Sequence, residues 1–176
     1  MTSHFIYLDH QATTPLAPEA RAAMEPWLAG PESMGFANPH SMHRPGRAAA
    51  AAVEVAREQV AALLPRGGRV IFTSGATEAL NQAVRSVPRG KIAYSAIEHS
   101  ALVNAAVASG ADLRELPVSS AGLVDPEAEL AEGIGLVAVM QVNNEIGTIQ
   151  PVERLAERAH EIGALFLCDA VQGAGK

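Results

Sequence analysis

Short apolar runs alternate with amphipathic stretches along most of this chain. Residues 69–73 (RVIFT), 91–94 (KIAY), 112–116 (DLREL), 136–142 (LVAVMQV) and 164–167 (ALFL) read as strands. Several are apolar on both faces, the pattern of parallel strands covered by helices on each side. Over residues 47–64 the spacing predicts a helix, with Val53, Ala56, Val60 and Leu64 on one face and Glu54, Arg57 and Glu58 away from it. Residues 151–162 form the best-punctuated helix. Pro151 stands at a first position, Val152, Leu155, Ala159 and Ile162 make the stripe, and Gly163 supplies a left-handed stop. A third helix begins near Gly75 and turns Leu80, Ala83, Val84 and Val87 inward.

Strands alternating with helices predict an α/β fold, layered, with a mostly parallel sheet and helices on both faces. Residues 30–46 are a long irregular stretch rich in Gly, Pro, Asn and His, and a loop of that length is functional or disordered. No repeat, linker or domain boundary is visible, so residues 1–176 read as one domain.

Composition narrows the picture. Hydrophobic residues make up 48% of the chain but aromatics only 4%, so the core is built from Ala, Val, Leu and Ile. The net charge is −6 without a basic block, which argues against nucleic acid or an anionic membrane as partner. Cys168 is the only cysteine, so neither an internal disulfide nor a zinc-binding cluster is expected. His40 and His43 lack a carboxylate or Cys at metal-ligand spacing, and no metal site is expected. The N-terminus lacks a basic region followed by an apolar one, and no apolar run approaches a membrane span. The chain reads as cytoplasmic.

In open α/β sheets, ligands bind beyond the carboxyl ends of the strands. The residues following the predicted strands there are Ser74–Glu78 (SGATE), Glu98 and His99, Asn143–Gly147 (NNEIG), and Asp169 with Gln172. SGATE opens a helix through a glycine, so its free N–H groups suit an anion such as phosphate, whereas Glu78 equally suits plain capping. It is not a P-loop, since no Gly-x-x-x-x-Gly-Lys-Ser/Thr occurs. Asp169 reads either as a turn residue or as the partner of a buried cation such as a protonated ring nitrogen. His99 reads as a helix-start residue or a planar stacker, and the two asparagines as a turn or as ligand contacts. Cys168 reads as a small buried hydrophobe. Together, a phosphate cradle, a stacker, amides and a carboxylate suit a phosphorylated, cationic aromatic ring. Pyridoxal 5'-phosphate fits, with its phosphate on SGATE, its ring on His99 and its ring nitrogen at Asp169.

Six motifs, YLDHQATTPLAPEA, NPHSMHRPGR, FTSGATEALNQA, EHSAL, VNNEIGTIQP and DAVQGAGK, span essentially the whole chain. In this order they resemble the N-terminal part of the cysteine desulfurases, in the class V branch of the fold-type I pyridoxal-phosphate enzymes. The resemblance implies the incomplete large, cofactor-binding domain of that fold, without the C-terminal small domain. It implies that Ala76 and Thr77 hold the cofactor phosphate and that His99 stacks on the ring, with a possible acid/base role. Asn144 and Gln172 would reach the phenolic-oxygen side, and Asp169 the ring nitrogen. Leu167 stands where the family usually has a histidine, and Leu80 where it commonly has a polar residue.

The family's reaction converts L-cysteine to L-alanine and passes persulfide sulfur to an acceptor protein for iron–sulfur cluster or thio-cofactor synthesis. It needs a Schiff-base lysine, a catalytic cysteine and a substrate-binding arginine. Lys91 opens a strand at the wrong end, Lys176 lacks the family's Ser-x-His-Lys context, and Cys168 is not the family's loop cysteine. The resemblance therefore implies a fragment, inactive alone and homodimeric only when complete. Another class V enzyme, such as a selenocysteine lyase or an aminotransferase-like relative, and a non-enzymatic remnant are the alternatives. An unpartnered sheet edge and uncovered apolar helix faces would make the isolated chain prone to aggregate.

Overall fold

The computed structural model describes residues 6–28, 30, 32–64, 68–87 and 90–175. The chain divides into two compact units, one ending at Phe72 and the other starting at Thr73, although no boundary is visible in the sequence.

The first unit contains helix α1 (Pro18–Leu28), a 3-10 turn (Met34–Phe36) and helix α2 (Arg44–Ala61). The stretch expected to be irregular is structured in part. After the 3-10 turn, Asn38 accepts the His40 N–H through Oδ1 at 2.8 Å, and its carbonyl accepts the Ser41 N–H at 3.0 Å. His43 then caps α2, its Nδ1 accepting the Gly46 N–H at 3.1 Å. Pro45 in the first turn needs no intrahelical partner, so α2 begins three residues earlier than its apolar spacing predicts. Gly46 is required by packing, because a Cβ there would lie 2.4 Å from the Ser41 carbonyl oxygen. The stripe Val53, Val60 and Leu64 is 37%, 38% and 45% exposed, so it is not covered as its pattern suggests.

Residues 69–73 are not a strand. Strand geometry needs a neighbouring ladder, and none pairs with them among the described residues. Arg57 of α2 instead donates to the Val70 carbonyl and sits 5.0 Å from the Phe72 ring centroid.

The second unit is a four-stranded parallel sheet ordered β2-β1-β3-β4, from β1 (Lys91–Ser95), β2 (Leu113–Leu116), β3 (Ile134–Ala138) and β4 (Leu165–Leu167). Helices α3 (Ala76–Arg85), α4 (Ser100–Ser109) and α5 (Val152–Glu161) accompany it. The central strand shows why helices lie on both faces. Leu136 and Ala138 join Leu80, Val84, Leu102, Ala105 and Ala106 of α3 and α4 in one core. Val137 and Val139 join Leu155 and Ala159 of α5 in the other. This is the layered, mostly parallel architecture expected from sequence. In α5 the proline sits one position earlier than expected, as N-cap, and Gly163 has φ +75°, as its stop role requires.

The long connection from β2 to β3 has no helix. An antiparallel bridge pairs Val118 with Val124, and buried Gln150 latches it. Gln150 accepts the Val124 N–H at 3.0 Å and donates to the Gly122 carbonyl at 2.6 Å.

Candidate functional site

The site is assembled at one end of the second unit. The C-terminal ends of α3 and α4, through Val84, Arg85, Ser109 and Gly110, line a cleft with Gly90 and Ile92, where β1 begins. Both helices are ten residues long and pack together, so both N-termini lie at the other end, where β1 finishes. Lys91 is at the far edge, its Nζ 3.9 Å from Asp112.

At the start of α3, Glu78 reaches back to accept the Ser74 N–H at 2.6 Å and also the Gln82 amide at 3.0 Å. The Ser74 hydroxyl and then the Ser74 N–H hold its carboxyl below the usual range, with Gln82 adding to them. Glu78 thus caps the N–H of the residue just before the Gly75 N-cap, which has no side chain to return the bond. The N–H groups of Ala76 and Thr77 lie in the first turn, without intrahelical acceptors, and both residues are exposed. Capping by Glu78 therefore engages the Ser74 N–H and not those of Ala76 and Thr77.

His99 is the N-cap of α4. Its Nδ1 accepts the Ala101 N–H at 3.1 Å, which places the proton of a neutral ring on Nε2. The ring is exposed, so its faces are open to a planar partner. His99 and Asn144 line one cleft of about 530 Å³. The two asparagines differ in what they do. Asn143 is buried and builds the turn, donating to the Ile97 carbonyl at 2.8 Å and accepting the Glu145 and Ile146 N–H groups at 2.8 and 2.9 Å. Asn144 is only partly buried.

Asp169 is buried just beyond β4, and its Oδ1 accepts the Val171 N–H at 3.0 Å. Gln172 follows, partly buried, in the next turn. That turn lies close against Gln141, since a Cβ on Gly173 would fall 2.2 Å from the Gln141 Oε1. Lys176 is outside the described residues, so the reading of it as an ordinary residue has no structural counterpart.

Sequence reasoning placed Glu98 at the strand-end edge but gave it no role. β3 was expected to run to Val142, but its regular ladder ends at Ala138. On the β4 side the pairing continues, with Val139 N–H to the Leu167 carbonyl at 3.0 Å and Gln141 N–H to the Asp169 carbonyl at 2.8 Å. On the β1 side the chain has turned away after Ser95, and the Glu98 carboxylate accepts the Met140 N–H at 2.7 Å in its place. Its other oxygen, Oε2, is shut off from solvent and has no hydrogen-bond partner. Burial pushes the Glu98 carboxyl up to about 7 and Asp169 adds to this, against the opposing hydrogen bonds of the Met140 N–H and the Ser95 hydroxyl. The available signal was a glutamate between an apolar strand and a helix cap.

Cys168 is exposed as a residue, contrary to the buried position expected for it. Desolvation of its sulfur end, then Asp169 and Glu98, raise its thiol pKa. A raised thiol pKa makes it a poor thiolate.

The aminotransferase class-V family model matches residues 6–176. A cysteine desulfurase of Cereibacter sphaeroides is 43% identical, with 97% of this chain aligned to 47% of that protein. The cysteine desulfurase IscS of Dictyoglomus turgidum is 39% identical, with 97% of this chain aligned to 45% of that protein. Among solved structures, SspA in complex with cysteine superposes with a TM-score of 0.84 at 31% identity, over 95% of this chain and 51% of SspA. The chain spans about half the length of the curated relatives it matches.

Proposed function

Because the chain belongs to the aminotransferase class-V family, we propose that it is the N-terminal part of the cofactor-binding large domain of a pyridoxal-phosphate-dependent cysteine desulfurase. The whole enzyme would take L-cysteine to L-alanine and hand persulfide sulfur to an acceptor protein. Its lysine, reactive cysteine and substrate arginine would come from the half of the relatives' length that this chain does not span. The substrate reading draws support from SspA, a structural neighbour seen with cysteine. Iron–sulfur cluster assembly, a homodimer and a cytoplasmic setting belong to the same proposal. None of the described helices is long and apolar enough to cross a membrane.

The observation that carries the reading is the donor set at the sheet edge. Asp169 is a buried carboxylate with no Lys or Arg ion pair among the described residues, a natural seat for a cationic ring nitrogen. The first-turn N–H groups of Ala76 and Thr77 offer an anion donors and the positive end of a helix dipole. The His99 ring, locked through Nδ1, offers a flat face. Asn144 and Gln172 supply amides toward the ring's oxygen. These residues fit pyridoxal phosphate, which when bound supplies an electron sink for chemistry at a substrate α-carbon.

The test is a titration of the chain with pyridoxal phosphate, followed by absorbance and by quenching of intrinsic fluorescence. Saturable binding that weakens about tenfold in Asp169→Asn supports the reading. Equal affinity in both proteins, or no saturable binding, overturns it.

A further inference from the structure

The β1–β3 ladder ends at the Tyr94–Ala138 pair. Beyond it the two chains part into separate turns, residues 96–99 leading to the α4 cap and residues 143–148 carrying Asn144. Two side-chain bonds reach across in opposite directions. The Glu98 Oε1 accepts the Met140 N–H at 2.7 Å, and the Asn143 Nδ2 donates to the Ile97 carbonyl at 2.8 Å. Each anchor is also fixed in its own turn. The Glu98 N–H donates to the Ser95 carbonyl at 3.1 Å, and the Ile97 N–H to the Ser95 Oγ at 3.2 Å. The Asn143 Oδ1 gathers the Glu145 and Ile146 N–H groups. Its backbone N–H donates to the Thr148 carbonyl and its carbonyl accepts the Gly147 N–H, both at 3.0 Å.

Packing alone does not account for a glutamate here. Its Oε2 is sealed from solvent without a hydrogen-bond partner among the described residues, a cost that an apolar side chain would avoid. An apolar side chain would instead leave the N–H of buried Met140 without this acceptor and break one tie between the turns. His99 directly follows Glu98 and Asn144 directly follows Asn143, and both line the cleft of about 530 Å³. Each anchor therefore stands one residue from a candidate cofactor contact.

We propose that Glu98 and Asn143 are positioning residues, a reciprocal clamp that sets the spacing of His99 and Asn144 across the cleft. The inference rests on the reading that those two residues meet the cofactor ring, and it assigns the side chains that hold them in place. A ring met on its face by one turn and at its oxygen by the other needs both contacts at a fixed separation. Loss of either tie lets the two turns move independently.

The experiment combines NMR of the full chain with a pyridoxal phosphate titration, for wild type, Glu98→Ala, Glu98→Gln and Asn143→Asp. Glu98→Gln keeps an oxygen for the Met140 N–H, whereas Glu98→Ala removes it. Asn143→Asp keeps the oxygen that gathers its own turn but loses the donor to Ile97. The expected effects cross the cleft. Glu98→Ala shifts the Asn144 side-chain amide signals, and Asn143→Asp shifts the His99 ring signals. Both variants weaken cofactor binding about tenfold, and Glu98→Gln restores it. Signals that move only in the turn carrying the substitution overturn the proposal. If the wild type and a folded Glu98→Ala bind the cofactor equally, the clamp fails and the cofactor site stands. If no protein binds the cofactor but the signals still cross the cleft, the clamp stands and the cofactor reading fails. Unprotected exchange of the Met140 amide in the wild type overturns the proposal even if a variant fails to fold.

Discussion

The Met140 backbone N–H donates to the Glu98 carboxylate at 2.7 Å across 42 positions of sequence, so a side chain takes the place of the next residue of β1. A buried carboxyl with a folded value near 7, above its ordinary 4.5, binds more protons folded than unfolded. Its destabilising effect is absent below pH 4.5, grows as pH rises and is complete above 7, reaching on the order of 3 kcal/mol. Urea unfolding between pH 4 and 8 should show stability falling through that window in the wild type. In Glu98→Gln the same window should be flatter, and identical slopes in the two proteins would contradict this.

Glu78 has the opposite sign. Its carboxyl is held below the usual range by Ser74, so its contribution is present above the unfolded carboxylate value and disappears as pH falls through the folded one. Glu78→Gln should lower the melting temperature slightly at pH 7, and the difference should shrink as the pH is lowered. Amide exchange at Ser74 should quicken in the variant, because the 2.6 Å bond to its N–H weakens.

Gln150 is 3% exposed and satisfies one donor and one acceptor of the β2–β3 connection. Gln150→Ala leaves the buried Val124 N–H and Gly122 carbonyl unpaired, at a cost of about 2–3 kcal/mol. Chemical denaturation measures the loss. A change under about 0.5 kcal/mol, the size of an ordinary surface substitution, would show that the latch does not hold.

Gly46→Ala puts a methyl 2.4 Å from one backbone oxygen and 2.8 Å from another, neither of which can move alone. The expected destabilisation is about 1–3 kcal/mol, read from thermal unfolding. Gly30→Ala, where nothing lies within 4 Å, is the control and should be near neutral.

Where apolar runs had ladder partners, sequence pattern located the strands. KIAY, DLREL and ALFL became β1, β2 and β4 within a residue or two. RVIFT carries the same signal without a partner among the described residues, and pattern cannot distinguish the two cases. Helix α4 has no clear apolar stripe because Leu102, Ala105 and Ala106 are buried among α3 and the sheet while Val107 is exposed. Helix α1 contains Pro26 and buries nothing, so neither periodicity nor capping marks it. At the candidate site, strand-end position singled out His99, Asn144 and Asp169. It marked Glu98 as well but gave it no role, because its part comes from the Met140 N–H, which only the folded chain brings to it.

The Gln150 latch also sets an order of events during synthesis. Val124 and Gly122 precede Gln150 by 26 and 28 residues, so both leave the ribosome before the side chain that satisfies them. At about 5–20 residues per second this delay lasts on the order of one to a few seconds. The β1–β2 pair and the α4 between them are already translated by then. The connection leading to the central strand therefore settles only once Gln150, just ahead of α5, arrives to hold it.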